Sequence, residues 1–204
     1  MMRLLSLVFL LFFSTSGISK TLLILGDSLS AGYQMPISKA WPSLLNNDLL
    51  QQGYNINIVN GSISGDTTSS AINRLPQLLS ENAPDYVLIE LGANDGLQGF
   101  PLDITKQNLI SMIKKIRLEG AFPILMQIRI PPNYGKRYSD AFRNIYPGLA
   151  QQLNVPLIPF FMEKVVTKPE WMRDDGLHPN EQAQPWIASQ IAQDIVPHIS
   201  LEPN

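Results

Sequence analysis

The 204-residue sequence contains no cysteine and only two histidines, His178 and His198. The first absence excludes disulfides, thiolate nucleophiles, iron–sulfur ligation and lipid attachment to an amino-terminal cysteine. The second leaves a zinc site dependent mainly on carboxylates, an uncommon ligand set, so neither a metal nor another cofactor is expected. No block of lysine and arginine is present, and 15 basic against 17 acidic residues give a net charge of -2, which argues against a nucleic-acid partner. There is no Gly-x-Ser-x-Gly, no Walker loop and no dinucleotide-binding glycine fingerprint, so nucleophile-elbow hydrolases and the common nucleotide folds are excluded on motif. Coiled-coil heptads are also missing, and a monomer is the expectation.

Long apolar runs are scarce too. Leu4 to Phe13, preceded by Arg3 and followed by small and polar residues through Ser19, is about half of the roughly 20 residues a membrane span requires. The pattern is that of a secretory signal peptide over residues 1–19, cleaved after Ser19. Residues 20–204 are then one mature domain, exported to the periplasm or secreted and without a stable membrane anchor.

What the mature chain does contain is a series of buried strands that stop at polar or glycine-containing turns. Thr21 to Leu25 is an apolar run that ends in Gly26-Asp27-Ser28. Ala40 to Gln52 carries Trp41, Leu44, Leu45, Leu49 and Leu50 at helical spacing, with Pro42 suited to the first turn and Gly53 to the stop. Asn55 to Asn60 alternates as a strand, and a helix with Ile72, Leu75, Leu78 and Leu79 follows the small polar stretch after it. Asp85 to Leu91 reads as the central strand and runs into Gly92-Ala93-Asn94-Asp95-Gly96. A helix capped by Asp103 and ended by Gly120 comes next, then a strand over Phe122 to Ile128. Ser139 to Leu153 is expected as one helix kinked at Pro147, and Val155 to Phe160, with Pro156 and Pro159, as an edge strand. Gln182 to Val196 is the last helix. Strands alternating with helices in this way predict a parallel sheet covered on both faces, a three-layer α/β/α sandwich.

A serine at the carboxyl edge of such a sheet stands where ligands bind, but its hydroxyl needs a base before it can attack. His198, near the end of the chain, reads as a surface residue. His178 lies in Asp174-Asp175-Gly176-Leu177-His178-Pro179. Asp175 can fold back to accept the Nδ1–H, leaving Nε2 free to take the serine proton; alone, the same spacing describes a turn equally well. Acyl transfer also needs donors for an oxyanion, and the candidates are the backbone N–H groups of Ser28 and Gly65 and the side-chain amide of Asn94. Asp27 and Asp66 stand beside site residues. An aspartate in a turn or at a helix start ordinarily serves local hydrogen bonds, so a direct part in catalysis is left open for both.

The order Gly-Asp-Ser-Leu-Ser, Ser-Gly-Asp-Thr-Thr, Gly-Ala-Asn-Asp-Gly and Asp-Gly-Leu-His-Pro resembles the SGNH (GDSL) hydrolase superfamily over Thr21 to about Val196. The longer stretches VLIELGANDGL, PILMQIRIPPNYGKRY and WMRDDGLHPN are similar to its branch of bacterial periplasmic thioesterases that are also lysophospholipases and arylesterases. The resemblance implies a five-stranded parallel sheet of flavodoxin-like order 2-1-3-4-5. It also implies Ser28 as nucleophile, His178 as base, Asp175 as its orienter, and Ser28, Gly65 and Asn94 as the oxyanion hole. Acyl esters and thioesters are the implied substrates, with Leu97, Phe100, Ile130 and Pro131 as candidates for binding the acyl group. A carbohydrate-ester deacetylase on the same four blocks is the alternative, and a non-catalytic secreted binding module a more distant one.

Overall fold

The computed structural model describes residues 19–199. Nearly all of the expected signal peptide lies outside that range. Five parallel strands, β1 (Lys20–Gly26), β2 (Ile56–Asn60), β3 (Tyr86–Glu90), β4 (Phe122–Met126) and β5 (Leu157–Ile158), form one sheet in the order β2-β1-β3-β4-β5. The helices are α1 (Ser28–Ala31), α2 (Trp41–Gln51), α3 (Thr68–Asn82), α4 (Ala93–Leu97), α5 (Leu102–Leu118), α6 (Lys136–Arg143), α7 (Ile145–Leu153), α8 (Met162–Val165) and α9 (Gln184–Ile195). Right-handed crossovers place α2 and α9 together on one face and α3, α5 and α7 on the other, the three-layer sandwich read from the sequence. Among the described residues no helix is long and apolar enough to cross a membrane.

The core sits on both faces of the central strands. Leu22 to Leu25 and Val87 to Ile89 have no exposed surface, which explains why these strands read as continuous apolar runs and do not alternate. β1 and β3 are neighbours with Gly26 opposite Glu90. β1 is also the strand at which the order reverses, so the crevice beyond Gly26 and Glu90 is the topological switch point.

Four details depart from the sequence expectation. The helix expected over 139–153 is two helices broken at Asn144, and Pro147 lies in the first turn of α7, where its missing N–H costs no intrahelical bond. The cap before α5 is Pro101, with Asp103 inside the first turn. The fourth strand stops at Met126, two residues short of Ile128. β5 shrinks to two residues because the flanking Pro156 and Pro159 carry no N–H for a ladder; it does lie at the sheet edge.

Candidate active site

β1 delivers Ser28 through a tight turn. Asp27 is the N-cap of α1 and its Oδ1 accepts the Leu29 N–H at 3.0 Å, which starts a helix at the serine itself. Gly26 cannot be enlarged: a Cβ there would stand 2.7 Å from Glu90 Oε2 and 2.9 Å from the Ser30 side chain. β3 delivers Asn94 in the same manner, through Gly92 at φ +118°, where a Cβ would fall 2.2 Å from the Tyr146 hydroxyl. That hydroxyl donates to the Leu91 carbonyl at 3.0 Å and holds the turn in place.

His178 arrives from the other end of the chain. An isolated antiparallel bridge between Met172 and Pro179, and the Arg173 N–H donating to the His178 carbonyl at 2.9 Å, fold the loop before α9 back on itself. Within it Asp175 Oδ1 accepts the backbone N–H groups of Leu177 at 2.8 Å and His178 at 2.9 Å, while Oδ2 lies 2.8 Å from His178 Nδ1. His178 Nε2 lies 2.9 Å from Ser28 Oγ. The three-residue spacing therefore forms both the turn and the histidine contact, and the two sequence readings of Asp-x-x-His are the same structure. Burial pushes the Asp175 carboxyl up, but the bonds from the His178 and Leu177 backbone and from the imidazole outweigh it and hold the group at about 2. Asp175 is thus an anion facing Nδ1 at any pH near neutrality.

The third block comes in along the edge of β1. After β2, Gly61 donates to the Ile24 carbonyl at 2.9 Å and Ile63 to the Gly26 carbonyl at 3.1 Å, so the loop passes the carboxyl end of β1 before α3 begins. Gly65 is exposed there with φ +84°. The next carbonyl, that of Asp66, accepts from Asn94 Nδ2 at 2.8 Å. The Asp66 carboxylate itself is engaged by Arg74 and by Ser70 Oγ.

Ser28, Asn94 and His178 line one cavity of about 460 Å³, and its remaining wall is largely apolar. Leu97, Ile130 and Pro131 line it. Phe100 does not, and the reason is local: Gly99 turns the chain at φ +69°, the Phe100 N–H returns to the Asp95 carbonyl at 2.9 Å, and its carbonyl accepts the Tyr138 hydroxyl. Gly65 also lies outside the cavity wall, one residue from the carbonyl that holds Asn94.

Sequence reasoning missed six contributors. Phe160 and Met162, after β5, form part of the wall, a position the carboxyl-edge rule would have indicated for the end of any strand. Arg129 and Glu163 form an ion pair on that wall, joining the segment after β4 to α8. Tyr33 stacks on the His178 ring, with centroids 4.1 Å apart and planes at 26°. Glu90 is a fully buried carboxyl at the end of β3; its Oε2 accepts from Ser30 Oγ at 2.7 Å, and its Oε1 has no hydrogen-bond partner. Burial and the neighbouring Asp27 push Glu90 well above the usual carboxylate range. Among the described residues no group of three or more histidine and carboxylate side chains is arranged to hold a metal ion.

The chain as a whole is similar to known proteins. The sequence model of the GDSL-like lipase/acylhydrolase family matches residues 24–184. An arylesterase of Vibrio mimicus is 61% identical over 202 residues, covering 98% of this chain and all of the relative. The thioesterase 1/protease 1/lysophospholipase L1 of Escherichia coli K12 is 53% identical over 180 residues, 88% of this chain and 85% of the relative. The crystal structure of the psychrotrophic esterase EstA from Pseudoalteromonas, inhibited by monoethylphosphonate, superimposes with a TM-score of 0.84 at 42% identity, over 87% of this chain and 97% of that one.

Proposed function

The chain belongs to the GDSL-like lipase/acylhydrolase family and is an ester hydrolase, and from that premise we propose that it cleaves acyl esters and thioesters through an acyl-enzyme on Ser28. The observation that carries this is the continuous chain from Ser28 Oγ to His178 Nε2 at 2.9 Å and from His178 Nδ1 to Asp175 at 2.8 Å, at the mouth of an apolar cavity.

Ser28 Oγ attacks the acyl carbonyl as its proton passes to His178 Nε2, and the Asp175 carboxylate stabilises the imidazolium. The carbonyl oxygen becomes an oxyanion, taken up by the N–H groups of Ser28 and Gly65 and by Asn94 Nδ2. His178 then gives its proton to the departing thiol or alcohol. Water enters, loses a proton to His178 and attacks the acyl-serine; collapse of the second intermediate frees the acid and returns the proton to Ser28. No step calls for a cofactor.

The apolar wall of Leu97, Ile130, Phe160 and Met162 suits a hydrocarbon acyl group better than a sugar acetate, whose polar flanks would find few partners there. The thioesterase and lysophospholipase names of the Escherichia coli relative support the breadth of leaving group. Arg3 and the apolar run Leu4 to Phe13 support export to the periplasm, with residues 1–19 removed and 20–204 working as one catalytic domain. A fluorophosphonate probe should label the protein stoichiometrically, and Ser28→Ala should abolish both labelling and turnover while the fold stays intact. Undiminished turnover in that variant would end the reading. A kcat/KM profile over acyl length for matched esters and thioesters then ranks the substrates.

A further inference from the structure

We propose that Asp27, the residue before the nucleophile, is a positioning residue that fixes the Asn94 amide in its donating orientation. The inference rests on the reading of Asn94 as an oxyanion donor and adds what aims it.

A carboxamide has two ends of nearly the same shape, one accepting and one donating. What settles which end faces the cavity is the set of partners around it. Around Asn94 both partners are acceptors: the Asp66 carbonyl takes one Nδ2–H at 2.8 Å, and Asp27 Oδ2 lies 3.3 Å from the same nitrogen. Reversing the amide would set its oxygen against the Asp66 carbonyl in every state, and against Asp27 Oδ2 as well whenever that carboxyl is ionised, so the two together favour the orientation that can serve an anion. The contacts are unequal. The 2.8 Å bond anchors the group, and the 3.3 Å contact leaves the second N–H weakly held, so an oxyanion forming at the usual 2.7–3.1 Å can take it over without moving the side chain.

Asp27 is itself immobilised. It is 1% exposed, its Oδ1 is committed to the Leu29 N–H, and its own N–H is directed at Glu90 Oε2 at 3.4 Å. One carboxyl therefore joins the first turn of α1, which carries Ser28, to the first turn of α4, which carries Asn94. A full negative charge so close to the oxyanion would oppose its formation. Burial, aided by Asp66 and Asp95 and against the pull of the Leu29 bond, pushes Asp27 up to about 7, so near neutrality the carboxyl is only partly ionised.

Asp27→Asn separates this role from a structural one. The new Oδ1 can still accept from Leu29, so α1 keeps its cap, but an NH2 now faces the NH2 of Asn94 and drives that amide to turn or withdraw. With a short-chain nitrophenyl ester, kcat should fall about 10- to 100-fold, bounded by the value of one oxyanion donor, while KM moves less than about threefold. In an Asn94→Ala background the same substitution should cost less than about threefold further, because the group it acts through is gone. Asp27→Ser, which keeps a capping oxygen and is too short to reach Asn94, should repeat both results and serves if Asp27→Asn does not fold. Losses in kcat that multiply across the two sites, or a fall confined to KM, would overturn the proposal while leaving the oxyanion hole standing. An unchanged kcat in Asn94→Ala alone would overturn the oxyanion reading first and this inference with it.

Discussion

Asp175→Asn is the most demanding test of the catalytic arrangement, because the structure dictates which bonds survive. Asp175 Oδ1 holds the turn through the Leu177 and His178 N–H groups, and the asparagine carbonyl can take over both bonds with its shape unchanged. The atom replacing Oδ2 becomes an NH2 facing His178 Nδ1 at 2.8 Å. Nδ1 must then accept, which puts the ring proton on Nε2, 2.9 Å from Ser28 Oγ. A protonated Nε2 cannot receive the serine proton, and the anion that would have stabilised the imidazolium is gone. From the corresponding change in a serine triad we expect kcat to fall about 10⁴-fold, or about 5 kcal/mol in transition-state stabilisation, with KM nearly unchanged. Turnover of a nitrophenyl ester and the rate of fluorophosphonate labelling should fall together, since both begin with activation of Ser28. Thermal melting of the variant should fall below wild type above about pH 4, where the carboxylate held at about 2 stabilises the native state and a neutral amide does not, and the two should converge as pH drops toward 2. A loss under about tenfold would refute the reasoning and mean that another group sets the tautomer of His178.

Three further outcomes are expected. Tyr33→Ala removes the ring stacked on His178; such a contact is worth about 1 kcal/mol, so kcat should drop roughly fivefold with KM less affected, and Tyr33→Phe should restore it. The Arg129–Glu163 pair sets two charges on the wall of an apolar cavity, and replacing both by leucine should shift the acyl-length optimum in nitrophenyl ester kcat/KM toward longer chains, by about fourfold for each methylene newly buried. The opposite shift would mean that the pair contacts the leaving group and not the acyl chain. Asp27 gives a pH signature in stability. Its folded value of about 7 lies above the unfolded 3.8, so between the two the native state binds the extra proton and stability declines as pH rises, levelling off above about 7. Chemical denaturation at about pH 5 and pH 7 should show wild type losing about 2 kcal/mol relative to Asp27→Asn over that span, and a difference independent of pH would remove the charge argument.

The fold was legible because burial left its mark on composition: Leu22 to Leu25 and Val87 to Ile89 are apolar runs, each followed within three residues by a glycine, Gly26 or Gly92, that the structure requires for close approach. Ser28, Asn94, Asp175 and His178 were readable as candidates because each lies within two residues of a glycine in a turn, Gly26, Gly92 or Gly176. The cavity wall was not. Phe160 and Met162 follow a strand of two residues, too short to announce its carboxyl end, and Phe100 is turned away by a hydrogen bond to Asp95 that no periodicity reveals. Nor could the break at Asn144 be seen, because Pro147 is the stronger local signal and the first turn of a helix accommodates it. Glu90 was hidden by its neighbours: a carboxylate ending an apolar strand reads as the first exposed residue, and only the register with Gly26 shows that it is covered.

That hidden residue changes how the sheet edge should be understood. Asp27, Asp66, Glu90 and Asp95 are all buried around Ser28 and Asn94, and of these only Asp66 has a cationic partner, Arg74. Asp95 is satisfied by Thr68 and Thr105, whereas Glu90 keeps an oxygen without a partner. Such a cluster opposes folding, since carboxyls buried without countercharges must be neutralised or pay for desolvation. Its geometry nevertheless runs from β1 through α1 to α4, the elements that bring Ser28 and Asn94 into register. If the cluster is retained for that alignment, stability and activity should part company here. Asp27→Asn should melt higher than wild type above about pH 7 and turn over more slowly, whereas core truncations such as Leu88→Ala should lose about 2–5 kcal/mol of stability and keep kcat in whatever fraction stays folded.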